Sequence, residues 1–402
     1  MISVPSVAAV LNSPDLQVAE PDRTARRMQH SMRTSVLVPA VVYLVARAVG
    51  VAVLAWMAPQ HATDLATVMA KWDGQWLLGI AQFGYDGVSA DLTDARGLRE
   101  PSTSLAFFPG FSALLAAVRL AVPFVGHLEA AVGVNAVLGV IAAVGTARLG
   151  TRITGSSRAG LWLVLLLAAA PMGLVLSLAY SEALFCALAT WALVGLLERR
   201  WLLVGFATAA GVVRPTAAAL VLVVGIAALA AVAARRDGWR PWVAGLLAPT
   251  GLVAYLGWVG YRTGSWNGWF TLQSQGWNSG FDGGVATWNY TYDVVSVGRV
   301  AFEVAAAAIL AGSLILLALS IKLRVPWPVW VYGAGVTLMV VASSGVMTSK
   351  PRLLLPAFVL TLPIAIGMAK RRNSTQLAVA VGVVLVSGWF GAYTLTNYAF
   401  AI

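Results

Sequence analysis

Asp73, Glu182, Arg214, Lys350 and Arg352 are ionisable residues set at the edges of long apolar runs, and their types suggest one chemistry. Asp73 lies in KWDGQWLLGIAQFGYDG (71–87), Glu182 in LAYSEALF, Arg214 in VVRPTA, and Lys350 with Arg352 in TSKPRLLLPAF. A carboxylate pinned near a lipid surface can take the proton from a hydroxyl as a general base. Arginine and lysine can hold a phosphate or pyrophosphate and stabilise it as it leaves. Glu182 would be a second carboxylate that orients substrate, and Trp72, Gln75, Tyr85 and Asp86 are expected to line the substrate site. Blander readings stand beside these. Asp73 and Glu182 also fit helix-start acids that complement the dipole, the cations fit snorkelling anchors, and Asp86, after Gly84 and Tyr85, fits a turn.

What must position these residues is a membrane bundle. The chain has 402 residues, 59% of them hydrophobic and only 11% charged, whereas soluble domains carry roughly a quarter charged residues. So much apolar surface requires a polytopic membrane protein. The net charge of +11 does not point to nucleic acid. Its basic residues fall in short clusters between apolar runs, as cytoplasmic loops do. Cys186 stands alone, which excludes a disulfide framework. His30, His61 and His127 are too scattered for a metal site. Residues 1–34 carry neither a basic start nor an apolar stretch before a cleavage site, and read as a disordered cytoplasmic tail.

Candidate spans are 36–58, 128–148, 159–178, 182–198, 201–214, 215–234, 241–261, 299–321, 327–346, 353–369 and 376–398. The stretch 105–125, with Pro109, Gly110, Arg119 and Pro123, is ambiguous. If it crossed, the clusters at Arg148, Arg199–Arg200, Arg235–Arg236, Lys322–Arg324 and Lys370–Arg372 would all fall outside, against the positive-inside rule. The reading is therefore about eleven spans, with 105–125 lying in or re-entering the outer face.

That threading puts 59–127, 262–298 and 347–352 outside the cytoplasm. Trp72, Trp76, Leu77 and Ile80 recur at helical spacing and suit a short helix on the membrane, with its aromatics at headgroup depth. The aromatic, amide-rich loop 262–298 suits stacking on sugar rings, or equally an interfacial belt. No HExxH, Walker, GxGxxG or CxxC pattern is present.

These pieces resemble the PIG-V-like family, the GPI mannosyltransferase II relatives within the GT-C superfamily of membrane glycosyltransferases. The resemblance rests on WDG…W…IA…GY at 72–85, FFPGFSALL at 107–115, SEALF at 181–185, RPT at 214–216 and KPRLLLPAF at 350–358, in that order. Residues 1–34 and the loop 262–298 lie outside it. It implies an all-α, GT-C-like transmembrane domain over 35–402 with a helical first extracytoplasmic loop. It further implies an inverting enzyme that moves mannose from a polyprenyl-phosphate-sugar donor, with Asp73 as the key acid of that loop.

The Ala-, Val-, Gly- and Arg-rich composition suggests a GC-rich bacterium. A multi-pass plasma-membrane protein with a cytoplasmic N-terminus and an extracytoplasmic site is then expected. Its acceptor would be a lipid-anchored glycan such as a phosphatidylinositol mannoside or lipomannan. No metal or cofactor is required, because cations can hold the lipid phosphate. The rival readings are a transporter or flippase of a lipid-linked sugar, which would place polar groups near the midplane, and a non-catalytic scaffold.

Overall fold

The computed structural model describes residues 21–209, 211–298 and 300–398, with side chains from Ser35 onward except Phe206. Its helices in chain order are α1 (Pro21–Met57), α2 (Leu65–Ala70), α3 (Asp73–Phe83), α4 (Gly110–Ala121), α5 (His127–Thr154) and α6 (Ser157–Ala168). There follow α7 (Glu182–Leu197), α8 (Trp201–Ala209), α9 (Ala217–Ala233), α10 (Arg240–Leu247), α11 (Thr250–Thr263) and α12 (Gly268–Trp277). The last six are α13 (Val285–Val297), α14 (Ala301–Lys322), α15 (Trp327–Val341), α16 (Lys350–Leu353), α17 (Leu362–Ala369) and α18 (Asn373–Asn397). Among the described residues there is no strand, only an isolated bridge between Phe281 and Ser343.

Five segments are long and apolar enough to cross a membrane: Ser35–His61, His127–Thr154, Arg240–Thr263, Ala301–Lys322 and Asn373–Asn397. A sixth, Met347–Leu353 with Leu355–Ala369, is bent by 63° at its break. The protein is an all-helical membrane protein. Of the other apolar helices, α6 has 12 residues, α7 16, α9 17 and α15 15. α4 has 12 residues, about 18 Å of rise, well short of a bilayer's hydrocarbon thickness.

α7 is the centre of the bundle. It is apolar on all sides, and Phe185, Cys186, Ala189 and Leu193 are wholly buried, as expected for a helix surrounded by others. Close approach of the neighbouring helices depends on small residues. A Cβ on Gly150 would stand 2.8 Å from the Gly160 Cα, so these glycines let α5 and α6 cross backbone to backbone.

Between α6 and α7 the chain leaves helical geometry, passing through a 3-10 turn at Gly173–Ser177 and an irregular stretch to Ser181. Residues 172–182 are all buried. Irregular backbone at membrane depth is tolerable only when protein surrounds it.

Two expectations need correcting. The segment 21–34, expected to be part of a disordered tail, is the first part of helix α1, while 1–20 lie outside the described residues. And α3 does not present its apolar face to lipid. Trp76, Leu77 and Ile80 are buried, packing with Phe107, Phe111 and Val88. The first loop closes over α3 and takes up the stripe that would otherwise face headgroups.

Candidate functional site: a buried ion network at the head of the bundle

Asp73 is placed by its backbone. Trp72 precedes it with φ 58° and ψ −121°, a left-handed excursion for a bulky residue, and α3 begins at Asp73. Such strain costs of order 1–3 kcal/mol and persists only where the surroundings impose it. The irregular stretch before α7 imposes it here. The Tyr180 hydroxyl donates to the Lys71 carbonyl at 2.9 Å, and the Ala179 N–H donates to Met69 O at 3.1 Å. That stretch is itself held by Asn135, fully buried on α5, whose amide donates to the carbonyls of Leu178 and Tyr180 at 2.5 and 2.9 Å.

Glu182 opens α7 and is 1% exposed; Arg214 sits at the break before α9. Their side chains meet, with Arg214 Nη1 2.5 Å from Glu182 Oε1. Arg352, on α16 at the bend of the broken helix, completes the set. Its Nη1 is 2.8 Å from Asp73 Oδ2 and its Nε 3.7 Å from Glu182 Oε1. The guanidinium lies over the Tyr180 ring, 5.0 Å from the centroid. Charges therefore alternate along Asp73, Arg352, Glu182 and Arg214.

Asp73 is the open member of the network, its side chain one-third exposed, while the other three are at most 9% exposed. Arg214 Nε, Arg352 Nε and Arg352 Nη1 are buried without an aligned hydrogen-bond acceptor. The charges are in contact, but Arg352 meets Asp73 and Glu182 as ion pairs rather than as well-aligned hydrogen bonds. An anion entering here would compete with Asp73 and Glu182 for the guanidiniums.

Of the residues expected at the site, the structure brings Asp73, Glu182, Arg214 and Arg352 together. Trp72 adjoins them; its ring lies under the Lys71 ammonium, 5.0 Å away, and its Nε1 is buried without a partner. Lys350 is turned elsewhere. It is 1% exposed and donates to Thr287 Oγ1 and to the Ser343 carbonyl, each at 2.5 Å, so it staples α13 to the end of α15.

Gln75 is exposed on α3 with no partner among the described residues. Tyr85 makes a structural bond to the Phe107 carbonyl at 2.8 Å. Asp86, in a turn and 77% exposed, pairs with Arg262. The other first-loop acids also have local roles: Asp64 caps α2 through the Thr67 N–H, and Asp94 accepts from the N–H groups of Arg96 and Leu98. Among the described residues no three His, Cys, Asp or Glu side chains converge as a metal site would need.

Tyr180, Asn135 and Thr287 escape the sequence reading. Tyr180 is two residues before Glu182, and Asn135 is a lone amide in an apolar span, a signal that was available. A further omission is Arg47, buried in the first span, with Nε and Nη1 unpartnered.

Neither a comparison with protein-family models nor one with curated proteins yields a match.

Proposed function

We propose that this chain is an inverting membrane glycosyltransferase of GT-C-like architecture with about eleven spans, moving mannose from polyprenyl-phosphate-mannose to a lipid-linked glycan acceptor on the extracytoplasmic face. The observation that carries the reading is Arg352, a buried guanidinium in contact with the partly exposed carboxylate of Asp73. The resemblance of the ordered blocks at 72–85, 107–115, 181–185, 214–216 and 350–358 to PIG-V-like enzymes supplies the sugar and the carrier.

In this reading the donor phosphate binds Arg352 and Arg214. Arg352 then shifts part of its attraction from Asp73 to the phosphate, and Asp73 Oδ2 becomes free to accept the acceptor hydroxyl. Asp73 takes the hydroxyl proton as the acceptor oxygen bonds to the anomeric carbon from the face opposite the phosphate. The bond from the anomeric carbon to the phosphate oxygen breaks, its electron pair stays on the phosphate, and the configuration inverts. The two guanidiniums stabilise charge that grows on the leaving polyprenyl phosphate. Glu182 holds both arginines in place.

An apolar groove of about 670 Å³ supports the choice of carrier. It runs between α6, α14, α18 and the broken helix, and its wall includes Pro351, next in the chain to Arg352. An isoprenoid tail could lie there with its phosphate at the ion network.

The test is transfer of labelled mannose from polyprenyl-phosphate-mannose in membranes carrying the wild type or Asp73→Asn. Transfer by the wild type alone is expected; equal transfer by both would remove Asp73 from the mechanism. One observation favours the rival, a lipid-linked-sugar flippase: Arg47 is a buried, unpaired cation within a span, where transporters place functional charge. A flippase would move the labelled lipid between leaflets and form no new glycosidic bond.

A further inference from the structure

A second groove lies at the opposite end of the bundle, and it is independent of the glycosyl-transfer reading. It has a volume of about 650 Å³ between α1, α6 and α18. Its walls are apolar, among them Val45, Leu161, Ala380 and Val384, and its mouth is polar, formed by Arg158, Asn373 and Gln376. The polar end is tied together: Trp162 Nε1 donates to Gln376 Oε1 at 2.8 Å, and the Gln376 amide donates to the Arg371 carbonyl at 2.8 Å. The groove is open to the side, with Val41, Val45, Leu377, Val381 and Leu385 each at least half exposed along it.

Charge and length together select an occupant. Arg158 is exposed at the mouth, and Lys370, Arg371 and Arg372 are exposed immediately before Asn373. Among the described residues none of these four cations is in an ion pair with an acid. Along α18 the lining runs from Asn373 to Leu385, a rise of about 18 Å. One leaflet's share of the hydrocarbon is about 15 Å. The cavity thus reaches from headgroup depth to the midplane and stops, as an acyl chain does.

We propose that the α1–α6–α18 groove binds an anionic glycerophospholipid of the leaflet facing the basic helix ends, with an acyl chain in the groove and the phosphate at Arg158. Basic mouths on grooves between transmembrane helices are how proteins hold acidic headgroups.

The experiment uses the purified full chain equilibrated with phosphatidylglycerol and phosphatidylcholine of identical acyl chains, with retained lipid counted by native mass spectrometry. The wild type is expected to keep one phosphatidylglycerol in preference to phosphatidylcholine. Arg158→Gln, a surface change, is expected to reduce that preference about fivefold while still retaining lipid. Ala380→Trp, which fills the groove, is expected to lose both lipids. Equal retention of the two lipids by the wild type would overturn the proposal. So would an undiminished preference in Arg158→Gln, or displacement of phosphatidylglycerol by an equimolar polyprenyl phosphate.

Discussion

Arg352 stands between Asp73 and Glu182, with Nη1 2.8 Å from one carboxylate and Nε 3.7 Å from the other, so one guanidinium ties the open acid to the buried one. A side chain at the bend of the broken helix thereby controls both the first-loop acid and the N-terminus of the central helix.

Asp73→Asn and Asp73→Ala are expected to lower mannosyl transfer by about two orders of magnitude or more, the usual worth of a general base. Asp73 is partly exposed, so both variants should insert, with a melting point lowered less than in Glu182→Gln because Arg352 keeps Glu182 beside it. Radiolabel transfer alongside a yield and melting comparison checks this. Transfer within threefold of wild type in Asp73→Ala would make the residue a helix-start acid and nothing more.

Glu182→Gln is expected to act through stability as well as activity. It leaves Arg214 and Arg352 buried beside a neutral group, and breaking one side of a buried pair costs about 3–5 kcal/mol. Thermal unfolding in detergent should show a lowered midpoint. The double variant Glu182→Gln/Arg214→Gln should lose less than the two single losses combined, since the groups are coupled. Simple additivity would argue against the network.

Trp72 offers a reversed propensity order. At φ 58° a glycine is unstrained and an alanine is not. Trp72→Gly should therefore melt higher than Trp72→Ala, opposite to the order at an ordinary helix position. Both should lose transfer because the indole is gone. Melting curves of the two variants decide the point.

Lys350→Met removes the donor to Thr287 Oγ1 and to the Ser343 carbonyl. The expected result is faster amide exchange and earlier protease cleavage across 278–297, with a smaller effect in Thr287→Val. Hydrogen exchange resolved by peptide measures it. An unchanged segment would mean that Lys350 has another role.

The loop at Asp282 should open in acid. The N–H groups of Ala286 and Gly284 donate to its carboxylate and hold its pKa below the usual carboxylate value. A carboxylate whose folded pKa is depressed contributes stability above its unfolded value, roughly 3.9. That contribution disappears as pH falls through the lowered folded value. Exchange across 282–287 should thus rise only below about pH 4, and Asp282→Asn should remove that step.

Much of this molecule was legible in the order of its residues. The 59% hydrophobic content leaves only a membrane bundle, because water cannot accommodate that surface, and apolar runs of span length are local properties of the chain. Asp73, Glu182, Arg214 and Arg352 were visible as ionisable residues at run ends, where desolvation is costly enough to make each conspicuous. Local pattern could not say which of them meet. Asp73 and Arg352 are brought together by an irregular turn, a strained Trp72 and a 63° bend, each the outcome of packing between distant segments. Lys350 differs from Arg352 by two positions, yet faces Thr287 instead of Asp73, since side chains two apart on a helix do not share a face. Tyr85 and Asp86 were near Asp73 in the chain and bond elsewhere, to the Phe107 carbonyl and to Arg262, while Gln75 points to the exposed side of α3. Helix phase and loop closure, which depend on partners 22 and 176 residues away, decided that.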